Sequence, residues 1–243
     1  MVSKKEDKRN FPAIHEASRL WLPTEDGTYK ACVEYLRGLK PGWSLSWLRE
    51  ATPKILNNEL SEAALKTAVE HNVPENGQAS VWAAVQLLMK FAQEGRWQGV
   101  ALPHHDVPVG LDLTVRVRPV GMFYSPVREE RRLFALQPRL DFAPTYDQDQ
   151  IWLSALYYEF CCDPLEPLQP SILDLSRQGS GRQLSELTST QLPILAKEDL
   201  DARLDLVAKC FIRAREFVPA AEARPRKEKP TGQIDLFPEK DKG

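Results

Sequence analysis

The 243-residue sequence has no apolar run near the roughly 18 residues that a bilayer-spanning helix needs. Its opening, MVSKKEDKRNF, is charged and has no apolar stretch behind it, unlike a signal peptide. Both features lead us to expect a soluble cytoplasmic protein with no membrane partner. Cysteine is scarce: Cys32, Cys161, Cys162 and Cys210 form no CxxC pair and no zinc-ligand spacing. A disulfide between adjacent cysteines is strained, so all four are expected as reduced thiols, Cys161 and Cys162 close to a core. Charge of one sign is also missing. With 32 basic and 34 acidic residues the net charge is -2, which excludes a uniformly basic surface that wraps nucleic acid but leaves room for a local basic patch. There is no internal repeat, and no glycine-rich loop ends in Gly-Lys-Ser.

What is present is an ordinary globular composition, 42% hydrophobic and 27% charged, in a length that suits one domain with appendages. Residues 1–10 are polar and expected to be disordered. Residues 11–218 form the expected globular domain, mainly helical over 11–98 and strand-containing over 99–218. Helical spacing runs through 14–22, then through Cys32, Val33, Leu36 and Leu39 after the Glu25-Asp26-Gly27 turn signal. Ser46 and Ser61 are candidate helix caps, Pro53 reads as an interruption, and a long helix is expected over 78–94. From there the period changes to two. Leu111, Leu113, Val115 and Val117 alternate with Asp112, Thr114 and Arg116, which predicts a strand over 109–117. A further strand is expected over 131–140, a helix over 147–160, a short strand over 171–175, a Gly/Ser loop over 178–183, and a last helix over 196–217 capped by Asp199 or a neighbour. A helix between two strands implies a crossover and a parallel pair. The expected fold class is therefore mixed α/β: a helical N-terminal part followed by a small mixed sheet with a crossover helix.

Residues 219–243 read AAEARPRKEKPTGQIDLFPEKDKG after Pro219, a composition expected to stay unfolded alone. Within it, Gln233, Ile234, Asp235, Leu236 and Phe237 form an isolated apolar island. Leu236 and Phe237 have no neighbouring core to join, and Gln233 offers two donors and an acceptor to orient a docked peptide. This pentapeptide resembles the docking motif of partners of the bacterial DNA sliding clamp, which reads Gln, an aliphatic, Ser or Asp, Leu, Phe. The resemblance covers these five residues and implies the clamp as a partner. The competing reading is a terminal strand folded back on the body through Ile234 and Leu236.

The body resembles the restriction-endonuclease-like fold, the PD-(D/E)XK nucleases, in the form found in the RecB group. That group has a helical opening, a strand with an Asp, a strand with Glu-x-Lys, and a helix opening with Gln. Asp112 in Val109-Gly110-Leu111-Asp112 matches the first acid. Gln137 and Arg139 stand where Glu and Lys would fall, Asp141 lies two residues further on, and Gln150 sits early in the following helix. Ser44 to Leu48 with Pro53 matches the opening helix. The departures matter. Such nucleases hold Mg²⁺ with two carboxylates and use a Lys to orient water, whereas Gln137 is neutral and Arg139 keeps its proton. The resemblance thus implies a degenerate, non-catalytic version, with Asp141 as the one nearby substitute acid.

Weaker signals are His104-His105-Asp106 as metal ligands or a surface loop, Cys161 or Cys162 as a nucleophile or small core residue, and SRQGSGR at 176–182 as a phosphate cradle or exposed turn. Arg128, Arg131 and Arg132 beside Phe123, Tyr124 and Phe134, together with Arg182, are candidate contacts to a DNA backbone, or a charged hairpin turn. The leading expectation is a clamp-tethered accessory protein of bacterial DNA replication or repair that binds rather than cleaves, with no cofactor. The alternatives are a Mg²⁺-dependent nuclease delivered by the clamp, and a globular protein unrelated to DNA whose tail matches by chance.

Overall fold

The computed structural model describes residues 10–38, 46–137, 145–162, 168–178 and 181–218. Five helices come first: α1 (Ile14–Leu20), α2 (Glu25–Leu36), α3 (Ser46–Leu56), α4 (Glu62–Asn72) and α5 (Glu75–Gly95). Ser61 caps α4 as expected, its side chain accepting from Ala64 N. Three boundaries differ from the sequence reading. Glu25-Asp26-Gly27 is the first turn of α2, because Thr24 caps it by accepting from Gly27 N, and the two acids suit the positive end of the helix. Pro53 lies inside α3, where burial of Leu48, Ala51, Ile55 and Leu56 around it offsets the lost backbone bond. Helix α5 begins at Glu75 directly after Pro74, three residues before the expected start.

The strands are β1 (Gln98–Ala101), β2 (His105–Val109), β3 (Leu113–Val117), β4 (Gly121–Ser125) and β5 (Glu130–Gln137). After them come α6 (Tyr146–Phe160), β6 (Gln169–Asp174), β7 (Arg177–Gln178), β8 (Gly181–Arg182), β9 (Ser185–Thr188) and α7 (Lys197–Phe217). The main sheet has the order β1-β4-β5-β6-β9. Among the described residues only β5 and β6 pair in parallel, joined through the crossover helix α6; the other pairings of this sheet are antiparallel. The mixed α/β architecture with its crossover is thus as the sequence predicted.

The expected strand over 109–117 is instead a turn and half a hairpin. β2 and β3 pair as a separate two-stranded ribbon, and Leu111 and Asp112 both take the left-handed backbone region at φ 65° and 56°. The apolar alternation from Leu111 to Val117 crosses a turn, and Leu111 is exposed. The 178–183 loop is likewise a small hairpin of β7 and β8. Helix α7 has Ala196 at its N-cap without a side-chain bond, and Asp199 sits in the first turn.

Strand β5 is buried on both faces from Leu133 to Gln137, as a central strand between two helical layers must be. Phe134, Leu136 and Leu173 face α3, α4 and α5, while Leu133, Ala135 and Ile172 face α1, α6 and the β2–β3 ribbon. A third cluster joins α2 to α7 through Cys32, Val33, Leu36, Val207 and Phe211. Trp97 packs edge-on to Phe134 at 4.8 Å and stacks on Phe91 at 5.7 Å, which locks the end of α5 to the sheet. β1 is an edge strand, and Asn57 covers it like a short partner strand. Its amide accepts from Gly99 N at 3.0 Å and donates to Gly99 O at 3.1 Å. Gly99 must be glycine, because a Cβ there would lie 2.0 Å from the Met122 carbonyl oxygen.

Candidate functional site

Open α/β sheets place their sites in the crevice outside the carboxyl ends of the parallel strands. At that end Gln137 of β5 and Asp174 of β6 are direct partners, and Leu175 N donates to Gln137 O to extend the ladder one step. Asp174 is held by its own chain: Ser176 donates to it from backbone N and from Oγ, both at 2.8 Å. Helix α6 brings Asp149 to the same place, and α1 brings Arg19. The side chains of Arg19, Gln137, Asp149 and Asp174 are all at least nine-tenths buried.

The N-terminus of α6 is set by a capping box. Thr145 Oγ1 accepts from Gln148 N, and Gln148 Oε1 accepts from Thr145 N. The same Gln148 reaches back through Nε2 to the carbonyl oxygens of Arg19 at 3.0 Å and Trp21 at 3.4 Å, which ties α6 to α1. Burial pushes the Asp149 carboxyl up to about 7; the Asp174 charge adds to this and the Arg19 charge opposes it. Burial also raises Asp174, against the two Ser176 bonds and Arg19. The chemical content of the cluster is two buried acids facing one guanidinium, with a carboxyl that exchanges its proton near neutral pH.

Of the described residues singled out from sequence, only Gln137 belongs to this cluster. Asp112 sits on the tip of the β2–β3 ribbon, exposed, and the adjoining Gly110 N donates to Asp205 Oδ1 of α7 at 2.9 Å. Gln150 faces outward on α6, where Nε2 donates to Pro193 O at 2.7 Å. Arg139 and Asp141 lie outside the described residues, as do Gln233, Ile234, Asp235, Leu236 and Phe237. The structure therefore does not bring Asp112, Gln137 and Gln150 together. The alternation that put Asp112 on a sheet strand belonged to a peripheral ribbon.

The arginines fall into two groups. Arg128 and Arg132 belong to an ion-pair network at the opposite end of β5. Arg128 meets Glu186 at 2.8 Å and lies over the Phe91 and Trp97 rings at 5.2 and 5.3 Å. Arg132 meets Glu130 at 2.6 Å and Gln169 at 2.6 Å. These cations are committed to carboxylates, which reduces what they can offer a phosphate. Arg131 is exposed beside Tyr124 across the strand pair. Arg182 donates to Ser80 Oγ and to Leu175 O.

The remaining signals resolve as structure. His105 and Asp106 lie on β2 rather than in a loop: His105 Nδ1 is 2.7 Å from Glu159 with its ring 4.5 Å from Phe160, and Asp106 pairs with Arg116 at 3.0 Å. The Arg116 guanidinium holds the Asp106 carboxyl below its usual range. Cys161 is buried and its thiol is pushed up to about 12, far from a nucleophilic thiolate, whereas Cys162 is exposed. Among the described residues no group of three or more His, Cys, Asp and Glu side chains converges as metal ligands would.

Sequence reasoning missed Arg19, Asp149 and Asp174. The Thr145-x-x-Gln148 capping box was a readable signal for the start of α6, and the Asp-x-Ser at 174–176 for the turn after β6. Nothing local marked Asp149 as buried. Comparison with known proteins finds no matching family model and no matching curated protein.

Proposed function

We propose that the chain is a sliding-clamp-tethered accessory protein of bacterial DNA replication or repair, with the α/β body acting by binding. The observation that carries this reading is the peptide Gln233-Ile234-Asp235-Leu236-Phe237, which matches the clamp-docking pattern at every position. Fourteen residues separate Val218 from Gln233, a span of roughly 45–50 Å at full extension, enough to let a body and a docked peptide act at separate surfaces. A binding role for the body, rather than cleavage, is supported by residue 137. A neutral amide stands there, buried, where the nuclease resemblance calls for a metal-binding carboxylate. The same resemblance is supported by the order strand, strand, crossover helix, strand from β4 to β6.

The test is calorimetric titration of purified bacterial sliding clamp with the full chain and with the triple variant Gln233→Ala, Leu236→Ala, Phe237→Ala. The expected result is micromolar affinity that the triple variant loses. An intact chain that does not bind removes the basis for a replication or repair role. Divalent-metal-dependent cleavage of DNA by the full chain would replace the binding role by the nuclease reading.

A further inference from the structure

Cross-strand partners in an antiparallel pair stand on the same face of a sheet. The register therefore puts Gln98 of β1, Tyr124 of β4 and Arg131 of β5 in one row, with Val100, Met122 and Leu133 in the next. The reverse face of these strands is covered: Phe123 is buried with Trp97 and Phe91 in the cluster built on α3 and α5. The row itself is open to water. Tyr124 is 44% exposed and Val100 57%, and Gln98 and Arg131 are exposed beside them. Val100, Met122 and Tyr124 adjoin, so they form a patch rather than scattered single residues.

The uncommitted charge around this patch is mainly positive. Arg128 and Arg132 are neutralised by Glu130 and Glu186. Among the described residues Arg131 has no carboxylate or hydrogen-bond partner, and neither has Arg96, exposed just ahead of β1. Ser125 Oγ donates to Gly95 O at 2.5 Å, which holds this corner of the chain beside the end of β4. Against the two guanidiniums stands the unpaired carboxylate of Glu129 in the β4–β5 turn. The Gln98 amide and the Tyr124 hydroxyl are likewise without a side-chain partner among the described residues. An aromatic ring in water, flanked by an unpaired amide and an unpaired cation, is complementary to a ligand that is flat, polar at its edge and anionic.

We propose that Tyr124, flanked by Gln98 and Arg131, is a stacking platform for single-stranded DNA. A base lies flat on the tyrosine ring whatever its identity, the guanidinium takes a backbone phosphate, and the amide bonds the base edge. Gln98 and Arg131 stand one strand to either side of Tyr124, roughly 5 Å away, so both lie within reach of one nucleotide. Bases in a duplex are stacked on each other and offer no face to the ring, which selects a single strand. The choice of DNA rests on the replication and repair reading above.

The test uses the full chain and needs no clamp, so its failure is separate from failure of the tether. Fluorescence anisotropy with a fluorescein-labelled thymidine oligonucleotide compares the native chain with Tyr124→Ala, Tyr124→Phe, Arg131→Gln and Glu129→Gln. The matching duplex and a uridine RNA are titrated in parallel, and sedimentation velocity gives the oligomeric state. The basic residues of 219–243 are common to all these proteins and cancel in the comparison. Tyr124→Ala is expected to weaken single-strand binding about fivefold or more, while Tyr124→Phe keeps the ring and stays within about twofold. Arg131→Gln is expected to lower the salt slope by roughly 0.7. Glu129→Gln removes a repelling charge and is expected to tighten binding about twofold. That opposite sign, at an exposed turn, is separate from any loss of folding. Single-strand binding that ignores Tyr124→Ala, no binding of any probe, or equal affinity for the duplex overturns the platform. Binding of RNA alone, lost in Tyr124→Ala, overturns DNA as the source. An oligomer that Tyr124→Ala dissociates without change in DNA binding overturns the proposal and assigns the face to a second copy of the chain.

Discussion

Asp149→Asn replaces the buried carboxyl by a neutral group of the same shape, and its effect should depend on pH in a direction set by burial. The Asp149 carboxyl titrates near 7 in the folded chain against 3.8 for an ordinary Asp. A raised folded-state pKa means that the folded chain holds the proton longer than the unfolded one. The associated stability is complete below about pH 4 and is lost as pH rises through 7. Worked from those two values, the native chain loses about 2–3 kcal/mol between pH 5 and pH 8 through this one group. The Asn variant escapes that loss. Its stability relative to the native chain should therefore rise by about 2–3 kcal/mol over the interval, equivalent to a shift of roughly 5–10 °C in melting temperature for a chain of this size. The assay is guanidinium unfolding followed by tryptophan fluorescence at pH 5, 6, 7 and 8 for both proteins. Parallel pH profiles would refute the assignment of Asp149 as a buried acid that ionises at neutral pH. A relative gain towards low pH would reverse the sign of the argument and point to a carboxylate stabilised by Arg19.

Two further outcomes follow from the sheet. Asn57→Ala removes both bonds to Gly99 at the edge of β1 and should cost about 1–2 kcal/mol, with a matching rise in amide hydrogen exchange at Gly99 in NMR spectra. Unchanged exchange at Gly99 would mean that the Asn57 amide does not protect the edge. Glu186→Ala leaves the largely covered Arg132, and the more exposed Arg128, with Glu130 as their carboxylate in the network. The expected cost is about 1–3 kcal/mol in chemical unfolding at low salt.

Much of the architecture was readable because period and composition are local properties. The apolar face of α5, the Ser61 cap, the central run of β5 and the apolar periodicity of α6 each follow from residues close together in sequence. The misplaced elements share a different cause. Thr24 converts Glu25-Asp26-Gly27 from a turn into a helix start by one side-chain bond. Packing around Pro53 keeps a helix intact that local propensity would end. Alternation cannot tell a strand of the main sheet from one arm of a ribbon that bends at Gly110 to Asp112.

The sequence by itself determined the mixed α/β class, the crossover between two parallel strands, and the short apolar peptide at 233–237 in a polar setting. Each is a statement about pattern along the chain, and burying an apolar stripe or leaving it unburied requires no knowledge of partners. Only the tertiary structure decided which polar residues meet. Arg19, Gln137, Asp149 and Asp174 come from α1, β5, α6 and β6. The protonation of Asp149 and Asp174 depends on desolvation and on Arg19, more than 100 residues away in sequence. Those energies exist only after the sheet has brought the ends of its strands together.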